Sequence, residues 1–178
     1  MKQKFTITVL SKNRAGLLNR VAIIFTRRKI NIDSITVSES EVRNVYQHTI
    51  LVTEEEDLVI KVVNQIEKQI DIYKAFYYND SQIVHQEIAL YKVPTKLLAQ
   101  GDEAESILRS HSVRVLTVEK EFTVLEKTGH KNETQALFEA LKPFGIQEFV
   151  RSGRVAISKP MKELKDFLSE LEIASKNI

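Results

Sequence analysis

NRAGLLNRVAIIFTRRKINIDSITV, residues 13–37, changes its hydrophobic period, and that change decides the fold. From Gly16 the apolar residues Leu17, Leu18, Val21, Ile24 and Phe25 recur at helical spacing. Arg27, Arg28 and Lys29 fall in the last turn, where cations complement the helix dipole. From Asn31 to Val37 the chain turns β-branched, as strands are. Just before the stretch, Phe5, Ile7 and Val9 alternate with Lys4, Thr6 and Thr8, the period of a half-buried strand. Gly16 therefore stands at a strand-to-helix junction, where it could cradle a phosphate, make a turn or hold a small ligand close to the backbone.

Working outward, the polar segment Ser38–Asn44 connects to another strand, Tyr46–Val52. Glu54, Glu55, Glu56 and Asp57 open a second helix with acids at its positive end, and Leu58, Val59, Val62, Val63 and Ile66 share one face. Ile72–Tyr78 closes a βαββαβ order, and the polar break Asn79–Ser81 marks a boundary between domains 1–78 and 82–178. The order then repeats in pattern, with little sequence identity. Ile83–Val93 reads as a strand, Asp102–Arg109 as a short helix, and Val113–Val118 and Phe122–Leu125 as two strands. Asn132 with Gln135 is the expected cap of a helix carrying Ala136, Leu137 and Leu141. Gly145 starts a final extended stretch, IQEFVRSGRVAIS, and Leu164, Phe167, Leu168 and Leu171 mark an added amphipathic helix. The expected class is α+β: two ferredoxin-like βαββαβ units, each an antiparallel sheet with helices on one face, plus that C-terminal helix.

Composition narrows the function. The chain of 178 residues has 26 basic and 24 acidic residues, so a net charge of +2 gives no bulk electrostatic case for a nucleic-acid or membrane partner. No apolar run approaches the roughly 20 residues of a spanning helix. Cysteine is absent, which excludes disulfides and thiolate chemistry and fits the cytoplasm as expected location. Histidines 48, 85, 111 and 130 never stand three or four apart, and His85-Gln86-Glu87 lacks the cysteines that the zinc-deaminase signature requires, so no metal site is expected. There is no G-x-x-x-x-G-K-[ST], no G-x-G-x-x-G and no G-x-S-x-G. Gly16 has no glycine partner, and the phosphate reading fails. No catalytic residues are assigned.

N-R-A-G-L-L-N-R-V followed by R-R-K-I-N-I-D-S-I-T-V resembles the ACT domain of acetolactate synthase (acetohydroxyacid synthase) small subunits, whose pattern is approximately N-x-x-G-x-L-x-R-V, then R-G-Y-N-I-x-S-L-T-V. E-I-A-L-Y-K-V and A-L-K-P-F-G-I-Q-E-F-V-R-S-G-R-V-A-I follow in the family's order, and the resemblance spans roughly residues 3 to 159. The chain departs from the pattern at Lys29-Ile30, where the family usually has Gly-Tyr.

The resemblance implies a non-catalytic regulatory subunit. Its partner would be a large catalytic subunit that carries thiamine diphosphate, a divalent metal and usually FAD; this chain would hold no cofactor. It would raise the large subunit's activity and confer feedback inhibition by a branched-chain amino acid, with valine the first candidate. The chain would form a homodimer through its ACT domains, with the effector between them. Carried over residue by residue, Asn13, Ala15, Gly16, Leu17 and Leu18 would line that site, with Asn31 and Ile32 from the second strand or the paired chain.

The residue types suit a free amino acid. Backbone N–H groups at a helix start can take the carboxylate, and the amides of Asn13 and Asn31 offer donors and acceptors. Leu17 or Leu18 can wall the side chain, and Gly16 lets the backbone come close. Read without the resemblance, Gly16 and Asn13 also suit an ordinary turn entering a helix with positive φ. An ACT-type sensor serving a different enzyme or transcription is the alternative function, though no basic recognition helix accompanies it.

Overall fold

The structure, a computed structural model, describes residues 1–96, 102–159, 166, 167, 169 and 173. Alternation and helical spacing resolve into β1 (Gln3–Lys12), α1 (Leu17–Arg27), β2 (Ile32–Glu39), β3 (Val45–Glu54), α2 (Glu56–Glu67) and β4 (Ile72–Asn79). All strand pairs of this first sheet are antiparallel, in the order β2-β3-β1-β4. Then come β5 (Ile83–Pro94), α3 (Asp102–Ser110), β6 (Arg114–Val118), β7 (Phe122–Gly129), α4 (Lys131–Leu141), β8 (Glu148–Arg151) and β9 (Val155–Ser158). The second sheet runs β6-β7-β5-β8, which is the order of the first sheet repeated, and β9 also pairs with β5. Both are ferredoxin-like.

The described chain falls into two compact units, Met1–Val84 with the chain from Arg154 onward, and His85–Gly153. In the first unit, Phe5, Ile7, Val9, Ile50 and Val52 meet Val21, Ile24 and Phe25 of α1 and Val59, Val62, Val63 and Ile66 of α2. In the second, Ala89, Tyr91, Val93 and Leu125 pack with Leu137 and Leu141 of α4 and Ala104 of α3. The Tyr91 hydroxyl, fully buried there, donates to the Thr134 carbonyl at 2.6 Å.

Four readings of the sequence need correction. Thr6 and Thr8 are not on a solvated face: they are 0% and 5% exposed, so β1 is covered on both sides. Threonine tolerates this because its hydroxyl can be bonded, as Thr6 is by Arg154. Leu10 on that same side joins Val42 and Val45 in a separate cluster, so the polar connection after β2 holds a buried anchor. The cap of α4 is His130, whose N–H donates to Glu133 Oε2 at 2.6 Å; Asn132 lies inside the helix. The stretch after Gly145 is two short strands, β8 and β9, divided at Ser152–Arg154. The amphipathic helix expected beyond Pro160 lies outside the described residues apart from Asp166, Phe167, Ser169 and Ile173, of which Phe167 packs on the Leu10 cluster.

The departure at Lys29 leaves a clear mark. Lys29 takes φ +56, the left-handed region glycine enters at no cost. Its N–H donates to Thr26 at 3.0 Å and that of Ile30 to Phe25 at 3.0 Å, the paired bonds of a Schellman helix end. Ile30 and Phe25 share the first core, the hydrophobic contact that accompanies this motif. The second unit ends α3 the same way: Ser112 has φ +51, and Val113 N–H donates to Leu108 at 2.9 Å.

Candidate functional site

The loop between β1 and α1 is fixed by two backbone bonds. Lys12 N–H donates to the Asp71 carbonyl at 2.9 Å, and Leu17 N–H to the Arg14 carbonyl at 3.2 Å. The second closes a four-residue turn with Gly16 third, at φ +79 and ψ −5, the type II geometry that needs glycine there. The turn role is therefore real. A Cβ built on Gly16 would meet nothing within 4 Å, so the space beside this backbone is open in the single chain.

The helix start that follows lacks a cap, although the Asp71 carboxylate reaches Arg20 of α1 at 3.5 Å. No side chain caps α1 and no acid stands in its first turn. By contrast α2 has Glu56 and Asp57 in its first turn and α4 has Glu133. Glu133's carboxyl is held below the usual carboxylate range, first by the His130 N–H. The positive end of the α1 dipole is thus left to solvent or to an outside anion.

Asn13, Ala15 and Gly16 are exposed in the loop. Leu17 is 2% exposed, whereas Leu18 is 46% exposed, so the open apolar wall falls to Leu18. Asn31 is exposed and Ile32 half-buried against the first core. These two do not meet the loop within one chain. Ile32 is level with Val52 and Phe5, whereas the loop leaves β1 at Lys12, level with Val45. The eleven residues of α1 separate the two ends by roughly 16 Å at 1.5 Å per residue.

One group near the loop was not singled out from the sequence. His48, opposite Val9 on the helix side of β3, is 3% exposed, and its Nε2 lies 2.9 Å from Ser11 Oγ. The Ser11 hydroxyl gives its own proton to the Lys12 carbonyl at 3.1 Å, which places the ring proton on Nε2. Nδ1 is buried with no hydrogen-bond partner among the described residues, and burial lowers the ring's pKa. A cross-strand histidine in an alternating segment gives no local signal of this. The four histidines form no metal cluster: no three or more metal-ligating side chains gather among the described residues. No helix among them is long and apolar enough to cross a membrane.

Sheet order, helix placement and the glycine turn define the first unit as an ACT domain, and residues 7–74 match the model of the AHAS small subunit-like ACT domain. Residues 86–160 match the family model described as small subunit of acetolactate synthase. The acetolactate synthase small subunit of Bacillus subtilis is 38% identical over 160 residues, 89% of this chain and 91% of that protein. The one from Aquifex aeolicus is 33% identical, covering 89% and 83%. The crystal structure of the small subunit from Thermotoga maritima superposes with a TM-score of 0.79 at 26% identity, covering 88% of this chain and 98% of that one. The chain belongs to the acetolactate synthase small subunit family.

Proposed function

We propose that this chain is the regulatory subunit of an acetolactate synthase: it raises the activity of a large catalytic subunit and makes it subject to inhibition by a branched-chain amino acid. The uncapped, acid-free start of α1 beside the open space at Gly16 carries the effector half of this reading. A zwitterion's carboxylate is held by the free helix N–H groups, its ammonium by Asn amide oxygens, and its side chain by Leu18. The condensation chemistry and its cofactors, thiamine diphosphate, a divalent metal and FAD, belong to the large subunit, and the assembly works in the cytoplasm.

A second copy completes the site. β2 is an edge strand, and the loop and Asn31 lie at opposite ends of its sheet. Antiparallel pairing of two β2 strands about a two-fold axis brings Asn31 and Ile32 of one copy to the Gly16 end of the other. A homodimer through the ACT domains thus supplies what one chain lacks.

The test is Gly16→Asp in the enzyme reconstituted with the large subunit. It places a carboxylate where the effector's own belongs, and the lost coupling of about 1–3 kcal/mol abolishes feedback. Activity without effector stays near normal, and the response to valine, leucine and isoleucine becomes flat. Wild-type inhibition in a folded Gly16→Asp variant refutes the site. Gly16→Ala is not a neutral control, because φ +79 strains any side chain.

A further inference from the structure

Arg154 is the first residue of the chain returning from the second unit to the first, and it is 4% exposed. Its Nη1 donates to Thr6 Oγ1 on β1 at 2.9 Å and to Asp80 Oδ1 at 2.6 Å. Asp80 lies in the turn through which the chain leaves the first unit. The Arg154 carbonyl accepts from Thr36 Oγ1 on the edge strand β2 at 3.0 Å. Five residues on, Lys159 N–H donates to the Gln82 carbonyl at 2.8 Å and its Nζ to the Ser81 carbonyl at 2.8 Å. One buried guanidinium therefore ties the outgoing chain, the returning chain, the central strand and, through its own backbone, the edge strand.

Such an arrangement is costly to loosen by halves. The arginine charge is out of water, and Asp80 and Thr6 are its compensation; withdrawing one partner leaves a buried cation underpaired. The contacts consequently form or break as a set. Thr36 sits on the strand that begins at Ile32, the strand on which the regulatory reading places both the effector contact and the second copy.

We propose that Arg154 is a positioning residue for regulation: it makes β2 and the two chain crossings to the second unit one cooperative body, through which a ligand at the end of β2 acts on the second unit. The proposal rests on the regulatory reading above, and the experiment has two arms to keep their failures apart.

Hydrogen exchange on the purified full chain tests the latch. Arg154→Met removes the charge at similar length, and Thr36→Val removes only the hydroxyl bond to the Arg154 carbonyl. Both should raise exchange by about tenfold or more at residues 34–38 and 80–84 together, with α2 unchanged. Separate or unchanged exchange in the two segments overturns the latch; if Arg154→Met does not fold, Thr36→Val decides. The second arm uses the complex with the large subunit and valine as probe. Binding of valine should stay within about twofold of wild type while maximal inhibition falls by at least about half. Variants that open both segments and keep full inhibition overturn the route. A wild-type complex insensitive to valine, leucine and isoleucine refutes the regulatory reading instead, and exchange alone then decides the latch.

Discussion

Leu10 on β1 and Leu90 on β5 occupy the same kind of place, each on a first strand and on the side turned away from the helices. Leu10 is fully buried and Leu90 is 37% exposed. Ile88 beside Leu90 is 45% exposed, while Thr8 beside Leu10 is 5% exposed. Since the two sheets share one strand order, topology does not set the burial of that face. What lies on it does: Val42, Val45 and Phe167 lie by Leu10, and Arg154 by Thr6. Identical folds can therefore carry different stability ledgers strand by strand.

Truncating both leucines tests how far the two faces differ. Leu10→Ala should cost about 2–5 kcal/mol, as fully buried leucines do. Leu90→Ala should cost less than about 1 kcal/mol, as partly solvated ones do. Urea unfolding of the two variants measures both, and equal losses would mean that the two faces are equivalent after all.

Extremes of pH should separate the units next. Burial lowers the His48 pKa, so below its ordinary 6.5 the unfolded chain binds a proton that the folded first unit refuses. Stability is thus retained above pH 6.5 and falls as pH drops beneath it; His48→Gln should flatten that fall in acid-unfolding curves. Tyr91 behaves oppositely. Burial pushes its phenol from 10.0 to about 12, so the second unit loses stability as pH rises between those values. Tyr91→Phe should remove the alkaline loss while costing about 0.5–1.5 kcal/mol at neutral pH, the worth of its bond to Thr134. Alkaline unfolding that is indifferent to this substitution would contradict the assignment.

The smallest expected effect is one in which the units should agree. Lys29→Gly and Ser112→Gly each relieve a left-handed residue, a strain of about 1–2 kcal/mol. Glycine's extra freedom in the unfolded chain returns about 0.5–1 kcal/mol, so each variant should gain somewhat under 1 kcal/mol in melting experiments. A gain in one unit and a loss in the other would show that the two helix ends are not the same motif.

Much of the fold was legible because it rests on local periodicity. Both βαββαβ orders, the position of Gly16 and, apart from the exposed Leu18 and Ala136, the apolar faces of α1, α2 and α4 follow from spacing within ten or so residues. Some of the misread features depend on partners far along the chain. Thr6 and Thr8 look like solvent positions until Arg154, 148 residues away, is laid on one of them. Asn132 is the better cap by composition, but the strand β7 runs to Gly129 and forces the helix to begin at once, so His130 and Glu133 take the task. At the candidate site, the loop and its glycine were legible, and the turn and open space are now explicit. The split between Leu17 and Leu18 was not, because two adjacent leucines on a helix differ only in which way the axis turns them. His48 was invisible for the same reason as Thr6: its partner Ser11 sits on another strand.

The return of the chain at Arg154 also has a consequence for the order of synthesis. On the ribosome, β1 to β4 emerge first, yet Thr6 receives its guanidinium only after roughly seventy further residues have been made. At about 5–20 residues per second, that is a wait of some 4–14 s. During it Val42 and Val45 are available to cover Leu10, but Thr6 on the same side lacks its Arg154 contact. The inserted unit, with both ends tethered at one place, has time to fold before the first is sealed. Chains released before Arg154 lack that contact permanently, which makes them natural clients for chaperones and proteases.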